Sequence, residues 1–170
     1  MDLLQEKIEK LAQLIVEAEH IVVLSGAGMS TESGIPDFRS PGTGLWEQVD
    51  PDKFASIHSY VADTGKNLEF MLNMGLTIFK SRPNKGHRAL TKLQKMGKLE
   101  GVLTQNIDRL HHKAKTKNII ELHGNVMEAV CLRCHEIFPI TSMVNQAIKG
   151  KAPECEKCGG LLKPNAIFFL

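Results

Sequence analysis

Residues 26–40 read GAGMSTESGIPDFRS, directly after the apolar run HIVVLS at residues 20–25. That run is rich in β-branched residues and stops at glycine, which predicts a buried strand opening into a tight loop. A Gly-x-Gly turn after a strand lets backbone N–H groups approach a diphosphate, and a helix starting there adds a favourable dipole. Here Gly26, Ala27 and Gly28 are followed by Thr31 where a dinucleotide fingerprint carries its third glycine, and Pro36, Asp37, Phe38 and Arg39 come soon after. Alone, such a stretch is also compatible with an ordinary tight turn, so the neighbouring segments decide its meaning.

Working outward, Leu4, Ile8, Leu11, Ile15 and Ala18 recur at three- and four-residue steps and predict an amphipathic helix over residues 3–19. Residues 101–104 and 118–122 read as second and third strands. Residues 87–96 and 107–115 read as helices, and 51–80 as mostly helical, with Phe70, Met71, Met74, Leu76 and Ile78 supplying apolar faces. Residues 166–170, AIFFL, read as a closing strand. Strands alternating with helices predict an α/β fold on a parallel sheet of βαβ type.

A chain of 170 residues holds one ordinary domain, or one domain with a small insert. Its net charge of +2 makes no electrostatic case for direct nucleic-acid binding or for an anionic membrane. Apolar runs such as residues 21–24 are too short to span a bilayer, and the opening MDLLQEKIEK is not a basic region followed by an apolar one. A cytoplasmic location is the expectation.

The 4 cysteines form two C-x-x-C pairs, Cys131 with Cys134 and Cys155 with Cys158. Each pair offers two thiolates from one bend, and four together suit tetrahedral zinc. Arg133 and Lys157 within the pairs, and Gly159-Gly160 after the second, suit such knuckles. With every ligand position filled by cysteine, none is left for a reactive water, so the expected role is structural.

Thr104, Gln105, Asn106, Ile107 and Asp108 (TQNID) follow the second strand, where open α/β sheets bind their ligands. Their amide and carboxylate groups can bond a ribose and a carboxamide, although capping of a helix would explain one of them. Glu121-Leu-His123-Gly124-Asn125 sets a histidine just after the third strand, where it can act as a general base. His20, His58, His87, His111, His112 and His135 make weaker candidates.

Taken in order, GAGMSTESGIPDFRS, TQNID, ELHGN and the paired C-x-x-C motifs resemble the sirtuins of bacterial and archaeal type, NAD-dependent protein-lysine deacylases. The resemblance extends to Gly44-Leu45-Trp46, Arg82-Pro83-Asn84 with His87, and the closing KPNAIFF. It implies a Rossmann-like parallel sheet with helices on both faces, over residues 1–129 and 161–170. Residues 50–86 would form a helical part of a small domain, and residues 130–160 a zinc-ribbon module.

It also implies NAD as cosubstrate, one structural zinc ion, and an acyl-lysine peptide as substrate. In that chemistry the acyl oxygen attacks the nicotinamide ribose, nicotinamide leaves, and a ribose hydroxyl then takes up the acyl group. His123 would be the general base and Asn106 the residue ordering the ribose and a nearby water. Asp108, with Ile107, would hold the carboxamide, Gln105 the ribose, and Gly26, Ala27 and Gly28 the diphosphate, with Thr31 also binding the cofactor. Asp37, Phe38 and Arg39, after Pro36, would sit on the mobile cofactor loop, and Trp46 would also bind the cofactor. Met71 and Met74 stand where succinyl- and malonyl-preferring members carry tyrosine and arginine, which implies acetyl or apolar acyl groups here. Arg109 departs from the glycine usual after NID.

Sirtuins continue past the corresponding strand with Gly-Glu and further strands and helices. The stop at Leu170 therefore implies a C-terminally shortened member lacking its adenine-ribose contacts and part of its peptide groove. For such a piece a zinc-stabilised binding module is the alternative function, and mono-ADP-ribosyl transfer another.

Overall fold

The computed structural model describes residues 2–168. Helix α1 (Leu3–Glu17) starts where the Asp2 carboxylate accepts the Leu4 N–H, and Lys98 Nζ closes its other end on the Val16 carbonyl. Its apolar residues recur as the sequence requires, yet none is buried; Leu4 is 62% and Leu11 58% exposed.

Strands β1 (Ile21–Ser25), β2 (Leu99–Thr104) and β3 (Ile119–Glu121) form a parallel sheet in the order β1-β2-β3. Ser25 lies beside Thr104, and Thr104 beside Glu121, so the three strands end level. Between β1 and β2 the chain forms a 3-10 helix (Ala27–Ser33) and then α2 (Leu45–Gln48), α3 (Pro51–Phe54), α4 (Ile57–Ala62), α5 (Thr64–Lys80) and α6 (Lys85–Lys95). The segment expected to be mostly helical is thus three helices, the first and third capped by the carboxylates of Asp50 and Asp63. Helix α7 (Leu110–Lys113), shorter than expected, links β2 to β3.

A second sheet was not foreseen. Strands β4 (Gly124–Cys131), β5 (Ile137–Pro139) and β6 (Leu162–Ala166) pair antiparallel in the order β5-β4-β6, with α8 (Ile140–Ala147) alongside. The closing strand expected at residues 166–170 is corrected by this arrangement. The strand is Leu162–Ala166, LKPNA, it lies in the second sheet, and it ends where the expected one began; Phe169 and Leu170 lie outside the described residues. Burial alternates along it, with Leu162, Pro164 and Ala166 inward, and its edge position tolerates a proline that has no N–H to donate.

The main core joins this second sheet to the helices before it. Tyr60 and Leu68 pack with Ala129, Cys131, Met143, Cys155 and Leu162, and the Tyr60 hydroxyl donates to the Leu162 carbonyl at 2.6 Å. A smaller cluster of Ile35, Ile78 and Leu110 ties α5 to α7, where Lys113 Nζ donates to the carbonyls of Ile78, Phe79 and Ser81. Gly124, with φ +70°, starts β4 where an added Cβ would stand 1.9 Å from the Asn165 carbonyl oxygen. Gly124→Ala is therefore expected to destabilise the chain by about 3 kcal/mol, read by urea unfolding. Unchanged stability would show that β4 and β6 separate freely.

Candidate functional site

Because the parallel strands end level, the loops after them share the C-terminal edge of one sheet, the usual binding edge of such folds. The Gln105 N–H donates to the Ser25 carbonyl and the Leu122 N–H to the Thr104 carbonyl, drawing the three loops together. The segments GAG, TQNID and ELHGN are thus neighbours in space.

Asn106 and Asp108 are almost buried, 8% and 4% exposed. Asn106 Nδ2 donates to the Gly26 carbonyl at 3.0 Å and to Ser30 Oγ at 3.2 Å, while its backbone N–H donates to Thr104 Oγ1. Asp108 accepts from Ser30 Oγ at 2.6 Å and from the Leu110 N–H at 2.7 Å. The second bond is the helix-capping role weighed from sequence; the first ties the carboxylate to the glycine loop. Gln105 is exposed and Ile107 half-buried, its carbonyl taking the Val126 N–H.

The Gly34 end of the 3-10 helix has φ +82°, a left-handed turn that closes the loop back toward Ile35. A Cβ added at Gly26 or Gly28 would meet nothing within 4 Å, so the chain's own packing does not demand glycine at either position. The space beside the two glycines is open. Thr31 Oγ1 turns back to the Gly28 carbonyl.

His123 occupies the turn between β3 and β4 and is half-buried. Its Nδ1 lies 3.0 Å from the Gln105 carbonyl oxygen. A carbonyl only accepts, so Nδ1 carries the proton and the Nε2 lone pair is the basic one. The Ile167 N–H donates to the His123 carbonyl and fixes the turn from the second sheet.

The loop after the 3-10 helix forms its own unit. Phe38 stacks on Trp46 with ring centroids 5.1 Å apart, and the Trp46 N–H returns to the Phe38 carbonyl. The Asp37 carboxylate takes the Ser40 hydroxyl and N–H, which hold it below the usual carboxylate range. Pro36 is half-buried and Arg39 exposed. These hydrogen bonds and the ring stack link residues 37–46 to one another, with the Leu45 N–H donating to the Asp37 carbonyl.

Arg109 has φ 59° and ψ 21°, the left-handed region where a non-glycine residue costs roughly 1 kcal/mol or more. That geometry gives a physical cost to the departure from the glycine that the resemblance implies at this position. Arg109 is held there with its Nε 3.6 Å from Glu121 Oε1.

The four cysteine sulfurs all lie within 4.8 Å of one another, with Cys131 to Cys158 at 3.5 Å and Cys134 to Cys155 at 3.7 Å. Sulfurs about 2.3 Å from one zinc at tetrahedral corners would stand about 3.8 Å apart, so the quartet fits that ion. The N–H groups of Cys134 and Arg133 point at Cys131 Sγ and pull its thiol below the usual range. A Cβ at Gly160 would lie 2.8 Å from Cys131 Sγ, so glycine is needed beside the metal position. The two cations serve structural contacts here: Arg133 donates to the Cys158 carbonyl and Lys157 pairs with Glu136.

The sequence assigns no role to Ser25, Ser30 or Thr104 taken singly, and it makes His87 and His111 weaker candidates among the histidines. Both histidines are buried behind the sheet edge, 0% and 2% exposed, with ring centroids 4.8 Å apart. Burial first, and then His87, pushes His111 down to about 4 against the opposing pull of Asp108; burial lowers His87 as well. Only the phase of β1 against β2, which a single segment does not reveal, could have pointed to them.

The Sir2 family model matches residues 26–170. The NAD-dependent protein deacetylase 2 of Caldanaerobacter subterraneus subsp. tengcongensis is 43% identical over 166 residues, 95% of this chain and 65% of that protein. The NAD-dependent protein deacylase 2 of Archaeoglobus fulgidus is 39% identical over 167 residues, 98% of this chain and 65% of its own length. Among solved structures, a Sir2–p53 peptide–NAD+ complex superposes with a TM-score of 0.82 at 35% identity, covering 95% of this chain and 64% of that one. A Sir2 protein bound to a propionylated peptide does so with 0.83 at 35% identity, covering 96% and 64%. The chain thus spans about 65% of the length of these curated relatives. Among the described residues no helix is long and apolar enough to cross a membrane.

Proposed function

The chain belongs to the Sir2 family, and from that premise we propose that it acts as an NAD-dependent protein-lysine deacetylase, passing the acyl group to ADP-ribose and releasing nicotinamide. The observation that carries this reading is His123, whose Nδ1–H is committed to the Gln105 carbonyl so that Nε2 is left as a base. It stands at the sheet edge shared with the glycine loop. NAD, when bound, supplies a glycosidic carbon that accepts the acyl oxygen and ribose hydroxyls that take the acyl group.

The chain's own groups divide the work. The open space beside Gly26 and Gly28 fits a diphosphate against backbone N–H groups, with Ala27 and Thr31 in the same turn. Asn106 and Asp108, fixed by Gly26 and Ser30, would hold ribose and carboxamide, with Gln105 and Ile107 alongside. His123 Nε2 would take the proton of a ribose hydroxyl. Phe38, paired with Trp46 and flanked by Pro36, Asp37 and Arg39, would cover the reacting face and exclude water. Cys131, Cys134, Cys155 and Cys158 would hold the structural zinc. Thiols kept as metal ligands suit the cytoplasm.

The substrate would be an acyl-lysine in a peptide. Met71 packs against the cluster of Tyr60 and Leu68, and Met74 against that of Ile35, Ile78 and Leu110. At the acyl site the resemblance implies, thioethers would favour acetyl or apolar acyl chains over succinyl, whose charge would be unpaired there. The test is calorimetry of the 170-residue chain with NAD, followed by turnover of matched acetyl- and succinyl-lysine peptides. Micromolar NAD binding and acetyl preference are expected. Absence of NAD binding overturns the reading, and faster succinyl turnover overturns the acyl assignment.

A further inference from the structure

Behind the candidate site runs a chain of buried hydrogen bonds whose directions are fixed by which groups can donate. Asn84 Nδ2 donates to the Met29 carbonyl at 2.8 Å, so its Oδ1 is the acceptor for the His87 backbone N–H and for His87 Nδ1 at 2.9 Å. His87 therefore carries its proton on Nδ1. Ser25 Oγ donates to Thr104 Oγ1 at 2.9 Å, so toward His111 it accepts, and His111 carries its proton on Nε2, 2.9 Å away. Thr104 Oγ1 then receives the Asn106 backbone N–H at 3.1 Å, and the Asn106 amide reaches Gly26 and Ser30.

The two rings thus turn acceptor nitrogens, His87 Nε2 and His111 Nδ1, into the interior without a protein partner. Neither nitrogen can donate while the rings are neutral, so nothing in that pair competes for the His111 Nε2–H. The donor to Ser25 is held in one orientation. The groups that bear on its charge are His87, Asp108 and His112, and burial outweighs them in keeping the ring neutral near pH 7.

We propose that His111 is a positioning residue for Asn106, its Nε2–H orienting Ser25 and through it Thr104, which sets the backbone from which the Asn106 amide is aimed at the ligand edge of the sheet. This rests on the assignment of Asn106 to the ribose of NAD made above. His111 touches neither ligand nor reacting atoms; it acts through two hydroxyls. The remaining acceptor face of the pair leans on His87, which holds Asn84 and with it the carbonyl of Met29 in the glycine-loop helix. One ring pair therefore braces both loops of the site.

The test compares His111→Leu, His111→Gln and Ser25→Ala in the full chain. Leucine keeps volume but removes the donor, glutamine can restore a donor to Ser25, and alanine at 25 breaks the relay without disturbing the rings. NAD affinity is read by calorimetry and the Asn106 side-chain amide by ¹⁵N NMR, with zinc content confirming the fold. His111→Leu and Ser25→Ala are each expected to weaken NAD about tenfold and to shift the Asn106 amide, and together to do no more than one alone. His111→Gln is expected to stay within about threefold of the parent, as rescue of a lost donor requires. An unmoved Asn106 amide in Ser25→Ala overturns the proposal, and so does a glutamine variant as impaired as the leucine one. Should His111→Leu fail to fold, Ser25→Ala and His111→Gln still decide it. If the parent chain binds no NAD, the functional assignment falls, while the Asn106 amide shift and its rescue still judge the relay.

Discussion

His123→Ala is expected to bind NAD and zinc like the parent chain while losing NAD-dependent deacylation about 10²–10⁴-fold, the usual contribution of a positioned general base. The size follows from how little else at this edge can take a proton. Asn106 and Gln105 are amides, the Asp108 carboxylate is already engaged by Ser30 Oγ and the Leu110 N–H, and that of Glu121 takes the Asn125 amide with Arg109 and His112 beside it. Folding should be spared, because among the described residues the His123 side chain bonds the Gln105 carbonyl alone, and the turn is held by its backbone through Ile167 and by Gly124. His123→Asn sharpens the result. An amide at this position can still donate to Gln105 but offers no base, so it should preserve the turn and remain as inactive as alanine. Turnover within about tenfold of the parent in either variant would remove His123 from the chemistry and leave a structural turn residue.

What could be read from sequence divides by distance along the chain. The phosphate-side loop, residues 104–108 and the cysteine pairs each carry their chemistry within a few consecutive residues, so their composition betrays them before any fold is known. The parallel sheet was equally legible, since β1 and β2 are apolar runs bounded by glycine and polar turns. The second sheet was not. LKPNA contains proline, lysine and asparagine, and only its partner strand β4 shows that its alternate positions face a core. The flanking IFFL offered a stronger apolar signal and drew the strand past its true end. The bracing network escaped for a different reason: Ser25, Thr104 and His111 come together only through the register of Ser25 with Thr104. Arg109 was visible as a departure, but its left-handed backbone, which gives the departure a physical cost, required coordinates.

Zinc removal should have the widest structural effect. Cys131 and Cys155 are 0% and 3% exposed and sit in the main core with Tyr60, Leu68, Met143 and Leu162, so the metal would tie that core from within. Structural zinc in zinc-finger peptides contributes about 10–16 kcal/mol of apparent binding free energy near neutral pH, comparable to or above the roughly 5–15 kcal/mol that stabilises a whole domain. Strong chelation, or Cys155→Ser, is therefore expected to melt β4, β5 and β6 together with α8 and to loosen α4 and α5. The β1-β2-β3 sheet, whose buried Val102 and Leu99 lie outside that core, should hold its protection longer. Hydrogen exchange resolved by segment separates these outcomes. Because ligation requires thiolates, acidification should release the ion and reproduce the pattern, whereas restored zinc at neutral pH should reverse it. The consequence reaches the candidate base, since His123 stands between β3 and β4 and its carbonyl is held by Ile167 just beyond β6. Chelated protein should accordingly lose catalysis while any NAD binding through Gly26 to Gly28 declines less. Unchanged exchange in the second sheet after verified loss of zinc would show that its core stands without the metal.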